Sequence, residues 1–125
     1  FDRENITAIM QELKSSGTAD LAVISFHWGT EYETHSNTSQ QEIARALIDA
    51  GASIIIGQHP HVAQEIEQYK QGWIAYSLGN FVFDQDFSEE TMKGLVVKAV
   101  IQDKKITSFE PIPIQLTPTY QPYIR

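Results

Sequence analysis

A chain of 125 residues with 42% hydrophobic content holds one domain's worth of core and too little for two. Its formal charge of −7, with the nine basic residues scattered, argues against a nucleic-acid partner, because phosphate-backbone binding rests on clustered Lys and Arg. The absence of cysteine excludes disulfides, thiolate metal sites and thiol nucleophiles, and no run of about 18 apolar residues is present to read as a membrane span.

From about Asp2 to Ser16, Ile6, Ile9, Met10 and Leu13 form the stripe of an amphipathic helix, closed by Gly17. That pattern starts almost at Phe1, without an initiator methionine, which points to the carboxyl-terminal part of something longer. Leu21-Ala22-Val23-Ile24-Ser25-Phe26 is dense enough in apolar residues for an interior strand, and it runs into His27-Trp28-Gly29-Thr30-Glu31-Tyr32. Glu33 to Thr38 reads as a polar loop, with His35 a bystander among Thr, Ser and Asn. Ser39-Gln40-Gln41-Glu42 has the form of a capping box, followed by a helix whose buried stripe is Ile43, Ala44, Leu47 and Ile48 and whose end is marked by Gly51.

Ile54-Ile55-Ile56 predicts a strand buried on both faces and ended by Gly57. Strand, helix and strand make a βαβ unit, so the strands leading to His27 and His59 are expected to be parallel neighbours. Pro60 keeps His59 out of the helical region, and His59-Pro60-His61 is expected to be extended. Beyond it the character turns antiparallel. Val62 to Tyr69, a turn at Lys70-Gln71-Gly72, and Trp73 to Leu78 form one hairpin, with Gly79-Asn80-Phe81-Val82-Phe83-Asp84 after it. A polar loop then leads to a last hairpin of Gly94 to Ile101 and Ile106 to Phe109, and four tail prolines (Pro111, Pro113, Pro118 and Pro122) favour an edge position.

His27, His59 and His61 therefore fall at the carboxyl ends of two neighbouring parallel strands, where open α/β sheets place their ligands. His-Pro-His alone is more often a turn with two solvated rings. Three imidazoles on one edge favour a metal, since neutral imidazole is the usual ligand of zinc, manganese or iron. Carboxylates are missing from the set, with Glu31 the nearest candidate and Asp84 a weaker one. Trp28 and Tyr32 read as packing residues around the pocket, and Ser77 lacks the surroundings of a nucleophile.

His27-Trp28-Gly29-x-Glu31-Tyr32, Ala50-Gly51-Ala52, Gly57-x-His59-Pro60-His61 and Tyr76-Ser77-Leu78-Gly79-Asn80-Phe81 with Phe83-Asp84 closely resemble the capsule synthesis CapA family. That family is linked to poly-gamma-glutamate capsule formation and related to calcineurin-like metallophosphoesterases. Gln58 departs from it, standing where the family often carries another histidine. The resemblance implies an α/β (α+β) fold, the carboxyl-terminal part of a metallophosphoesterase-like sandwich of two sheets flanked by helices. Residues 1–125 would be that part of a single domain, whose amino-terminal half supplies the missing carboxylates and packs on an exposed sheet edge.

The resemblance further implies a centre of two divalent ions (Mn, Fe or Zn), with His27 and His59 on one ion and His61 reaching the other. Glu31 is either a site carboxylate that moves a proton or orients a ligand, or a solvated loop residue. Asn80 is a site-shaping amide at the same edge. The implied function is metal-dependent hydrolysis at a phosphate or acyl-phosphate group in capsule metabolism, on the extracytoplasmic face of a bacterial envelope, with an anchor upstream of Phe1 possible. The alternatives are a non-catalytic envelope subunit that binds or exports an anionic polymer such as poly-gamma-glutamate, and a one-zinc hydrolase complete within this chain.

Overall fold

The computed structural model describes residues 3–125, so the expected helix start at Asp2 lies outside the described residues. Helix α1 (Arg3–Ser16) ends at Gly17, whose φ of 63° is the left-handed conformation that closes helices. Met10 is buried, with Ile6 packed beside the core, whereas Ile9 is 48% exposed. The expected stripe is thus too wide, since Met10 and Ile6 face the core and Ile9 does not.

β1 (Val23–His27), α2 (Thr38–Asp49) and β2 (Ile54–Gln58) form the βαβ unit, with β1 and β2 parallel and Val23 opposite Ile54. β3 (Ile66–Tyr69) and β4 (Gly72–Ala75) complete a four-stranded sheet in the order β1-β2-β4-β3. β4 is parallel to β2, and only β3 runs against it. The hairpin expected beyond the histidines is present, β3 antiparallel to β4, and β4 in addition joins β2 in parallel. The reason is burial, since Ile54 and Ile55 are buried and β2 needs a paired neighbour on each side. β1 is correspondingly an edge strand among the described residues, not an interior one, and leaves Val23 61% exposed.

Two boundaries differ from expectation. The cap of α2 is Asn37, with Gln40 as its reciprocal partner, not Ser39 with Glu42. Asn37 Oδ1 accepts the Gln40 N–H at 2.9 Å, and Gln40 Oε1 accepts the Asn37 N–H at 3.0 Å. Both tetrads fit the pattern, but Gln40 is buried and Glu42 exposed, so only the earlier one has a side chain that needs the bond. Gly57 does not end β2 but lies inside it, opposite Phe26. A Cβ there would sit 1.9 Å from the Tyr76 carbonyl oxygen, so glycine serves close approach.

The core lies between the helices and one face of this sheet, built on Met10, Ala44, Leu47, Ile48, Ile55, Ile74 and Tyr76. Each large side chain fully buried there contributes on the order of 1.5–3 kcal/mol. A second, antiparallel sheet has the order β5-β6-β7, from β5 (Lys93–Gln102), β6 (Lys105–Leu116) and β7 (Pro122–Ile124). β6 carries Pro111 and Pro113 in its centre, where an edge was expected. The Pro113 carbonyl accepts from the Arg125 N–H at 3.2 Å, and a residue's N and C=O face the same side of an antiparallel strand. The ring nitrogen of Pro113 thus faces away from β5, and no bond of that ladder is lost. The sheets meet where the Leu95 N–H donates to the Leu78 carbonyl at 2.7 Å and where Trp73 stacks on Phe109.

Candidate metal centre

Because β1, β2 and β4 are parallel, their carboxyl ends share one edge, and His27 and the His59-Pro60-His61 segment emerge from it. His59 has φ 102° and His61 φ 60°, so the segment is not extended as expected. Proline forbids the helical region to the residue before it, which leaves positive φ as well as extended backbone open. Tyr32, with φ 65°, is the third non-glycine residue here in the left-handed region. Each costs on the order of 1–3 kcal/mol, and such strain collects at functional sites.

Among the described residues, the ligand atoms that gather within 4.8 Å of one another belong to Glu31, His59 and His61. His27 stands outside that group, with its ring centroid 4.5 Å from that of His59. His59 thus has both His27 and His61 as ring neighbours, the latter with centroids 6.2 Å apart, and Glu31 joins the pair of His59 and His61. Glu31 reaches the group because the Tyr32 N–H donates to the Pro60 carbonyl at 2.8 Å, tying its loop to the His-Pro-His turn. Trp28 anchors the root of the same loop, its backbone N–H on the Gln58 carbonyl and its Nε1 donating to the Tyr76 carbonyl at 2.9 Å. It packs against the core, stacked on Phe26. Tyr32 does not pack inward. It is 42% exposed, faces His61 with ring centroids 6.1 Å apart, and meets Phe87 edge-on. Asp84 is exposed and outside the group, as is His35, whose Nδ1 pairs with the Thr34 hydroxyl.

Asn80 fixes the tautomer of His61. Its Nδ2 lies 3.0 Å from the Thr91 carbonyl, which can only accept, so Oδ1 is the atom that faces His61 Nδ1 at 3.0 Å. Nδ1 therefore carries a proton, and in the neutral ring the lone pair is on Nε2. This is the outer-partner arrangement usual for metal-binding histidines. The donor set of two imidazoles and a carboxylate, one ring oriented from behind, fits zinc, manganese or iron.

The cleft over these residues measures about 600 Å³. His27, His59, His61 and Asn80 line it together with Phe81 to Phe83 and Leu95 to Val97. Sequence reasoning did not single out the buried amides behind the site, Gln40 and Gln64, nor Gln85, whose Oε1 accepts from Asn80 and whose Nε2 donates to the Tyr32 hydroxyl. An isolated glutamine, in a loop or at a helix start, carries no periodic signal.

A parallel sheet with histidines at its carboxyl edge, backed by two helices and continued by an antiparallel sheet, defines a mixed α/β protein with a candidate metal centre. The chain belongs to the bacterial capsule synthesis family: the model described as "Bacterial capsule synthesis protein PGA_cap" matches residues 1–85. It is 44% identical over 100 residues to the capsule biosynthesis protein CapA of Bacillus anthracis, covering 80% of this chain and 24% of that protein. It is 42% identical over 115 residues to the PGA biosynthesis protein CapA of Bacillus subtilis strain 168, covering 92% of this chain and 30% of that protein. A probable polyglutamine synthesis accessory protein of Mycobacterium tuberculosis is 32% identical over 76 residues, 61% of this chain and 20% of that protein. The chain thus spans less than a third of the length of these curated relatives.

Proposed function

We propose that this chain supplies the histidine side of a divalent-metal site in a capsule synthesis protein that hydrolyses a phosphate or acyl-phosphate group during assembly of an anionic polymer. The observation that carries the reading is the convergence of Glu31, His59 and His61 within 4.8 Å at the carboxyl edge of a parallel sheet. Glu31, His59 and His61 would hold one ion, and His27, beside His59, would belong to a second whose remaining ligands come from elsewhere in the protein. When bound, such an ion supplies positive charge that polarises the phosphoryl or acyl oxygen.

The other roles belong to the chain's own side chains. Asn80 Oδ1 keeps the proton on His61 Nδ1 and so keeps Nε2 available. The Glu31 carboxylate, within 4.8 Å of the ligand atoms of His59 and His61, would supply the negative charge that offsets the ion. Phe81, Val82 and Phe83 give the cleft an apolar lining beside the histidines. Family membership supports a polymer such as poly-gamma-glutamate as the substrate or product and the outer face of a bacterial envelope as the place of action.

The test is metal analysis and phosphatase assay of the intact protein against its His59→Ala variant. The expected result is bound metal and hydrolysis in the parent and loss of both in the variant. Equal metal content and equal activity in the two proteins overturn the reading.

A further inference from the structure

Gln64 is 4% exposed and Gln40 2% exposed, and neither touches the cleft. Two buried amides are costly unless every polar atom finds a partner, and here they do. Gln64 Nε2 donates to the Glu33 carbonyl at 2.8 Å and to the His35 carbonyl at 3.1 Å. Carbonyls only accept, so the orientation of this amide is fixed and its Oε1 must accept from Gln40 Nε2, at 3.1 Å. That in turn turns Gln40 Oε1 toward the Asn37 N–H at the start of α2. The chain of bonds is determined from end to end by chemistry.

Its endpoints give it a role. Gln64 lies three residues beyond His61, with its backbone N–H on the Ser77 carbonyl, and the two carbonyls it holds follow Glu31 in the same loop. Gly29, at the root of that loop, has φ 89°, and a Cβ there would come 2.9 Å from Gln40 Nε2, so the loop closes over the amide pair. We infer that Gln64, braced by Gln40, is a positioning residue that sets the distance of the Glu31 carboxylate from His59 and His61. The inference rests on the proposed metal site for its consequence and on the hydrogen bonds for its cause.

The experiment uses the intact protein with Gln64→Met, which keeps the side chain's length and removes its donors and acceptor. Amide hydrogen exchange of the metal-free protein is read at Tyr32 and Glu33, and Mn²⁺ affinity by titration calorimetry. Exchange at those two amides is expected to rise about tenfold while the interior of α2 stays within about twofold, because only the loop is released. Mn²⁺ affinity is expected to fall about tenfold, the lower end of what losing an outer partner costs. Gln64→Glu, which sets an acceptor against two acceptors, gives the same outcome by a different chemistry and serves if the first variant misfolds. Ile48→Val lowers the melting temperature and leaves both readouts unchanged, which separates positioning from general stability. Unchanged exchange at Tyr32 and Glu33, or faster exchange with unchanged Mn²⁺ affinity, overturns the inference. If the parent itself takes no Mn²⁺, the metal reading fails, and exchange alone decides the loop tie.

Discussion

His61 and Asn80 meet through one hydrogen bond of 3.0 Å, Nδ1 to Oδ1, and its direction is dictated from outside, by the Thr91 carbonyl that claims the amide's Nδ2. Asn80 is itself 5% exposed, so its amide has no water to fall back on. Asn80→Ala frees the ring to rotate and to shift its proton. Metal affinity is expected to drop about 10- to 100-fold. Asn80→Asp keeps an acceptor toward His61 but sets its second oxygen against the Thr91 carbonyl, so it is expected to retain more metal affinity than Asn80→Ala while lowering stability. Calorimetric titration of the two variants checks the pair.

Glu31 is exposed, and its position depends on the loop bond from Tyr32 to Pro60. Glu31→Gln preserves volume and removes the charge that offsets a divalent ion. If Glu31 is a ligand, the loss exceeds the about 10- to 100-fold cost of removing an outer partner. Metal content after dialysis, together with the pH profile of hydrolysis, checks this. A solvated loop glutamate would leave both unchanged.

The histidines and the βαβ unit were legible because an apolar run, a helical stripe and Gly51 are all local signals. What lay beyond local reach went wrong for physical reasons. The α2 cap was misplaced by two residues because Asn37-Gln40 and Ser39-Glu42 satisfy the same pattern, and a contact with Gln64, far along the chain, decides between them. The parallel placement of β4 follows from β2 needing a second neighbour, which no window around Trp73 reveals. The left-handed turns at His59 and His61 escaped for another reason, since the proline rule removes one region for His59 without choosing between the others and does not restrict His61, which follows the proline.

Glu67 couples the core to pH. Burial raises its carboxyl pKa, but hydrogen bonds from Arg45 and Tyr76 outweigh this and leave it below the ordinary value of 4.5. Burial first, and then Glu67, push the Tyr76 hydroxyl up, so Tyr76 stays a donor throughout the accessible range. A carboxyl whose folded value is depressed stabilises the fold above its unfolded value and loses that contribution as pH falls through the folded one. Chemical denaturation of the parent and Glu67→Gln is therefore expected to show a stability gap at pH 7 that begins to close near pH 4.5 and is lost below the folded value. A gap constant between pH 7 and pH 3 contradicts the assignment.

Gly57 is where fold and site are most tightly joined. A methyl group there would sit 1.9 Å from the Tyr76 carbonyl oxygen and 2.4 Å from Trp28 Nε1, which are bonded to each other. Neither atom can retreat alone. Tyr76 is held between core side chains, and Trp28 roots the Glu31 loop. Gly57→Ala is expected to cost about 3 kcal/mol, near the upper end for overpacking a core. Gly17→Ala provides the contrast, since nothing lies within 4 Å of its Cβ position and only the positive φ of 63° opposes the change. Its cost is expected near 1 kcal/mol. Urea unfolding of both variants measures the difference. Because β2 places His59 directly after its last residue, Gly57→Ala is also expected to lower metal affinity in whatever fraction remains folded, whereas Gly17→Ala, at the far end of α1, leaves it unchanged.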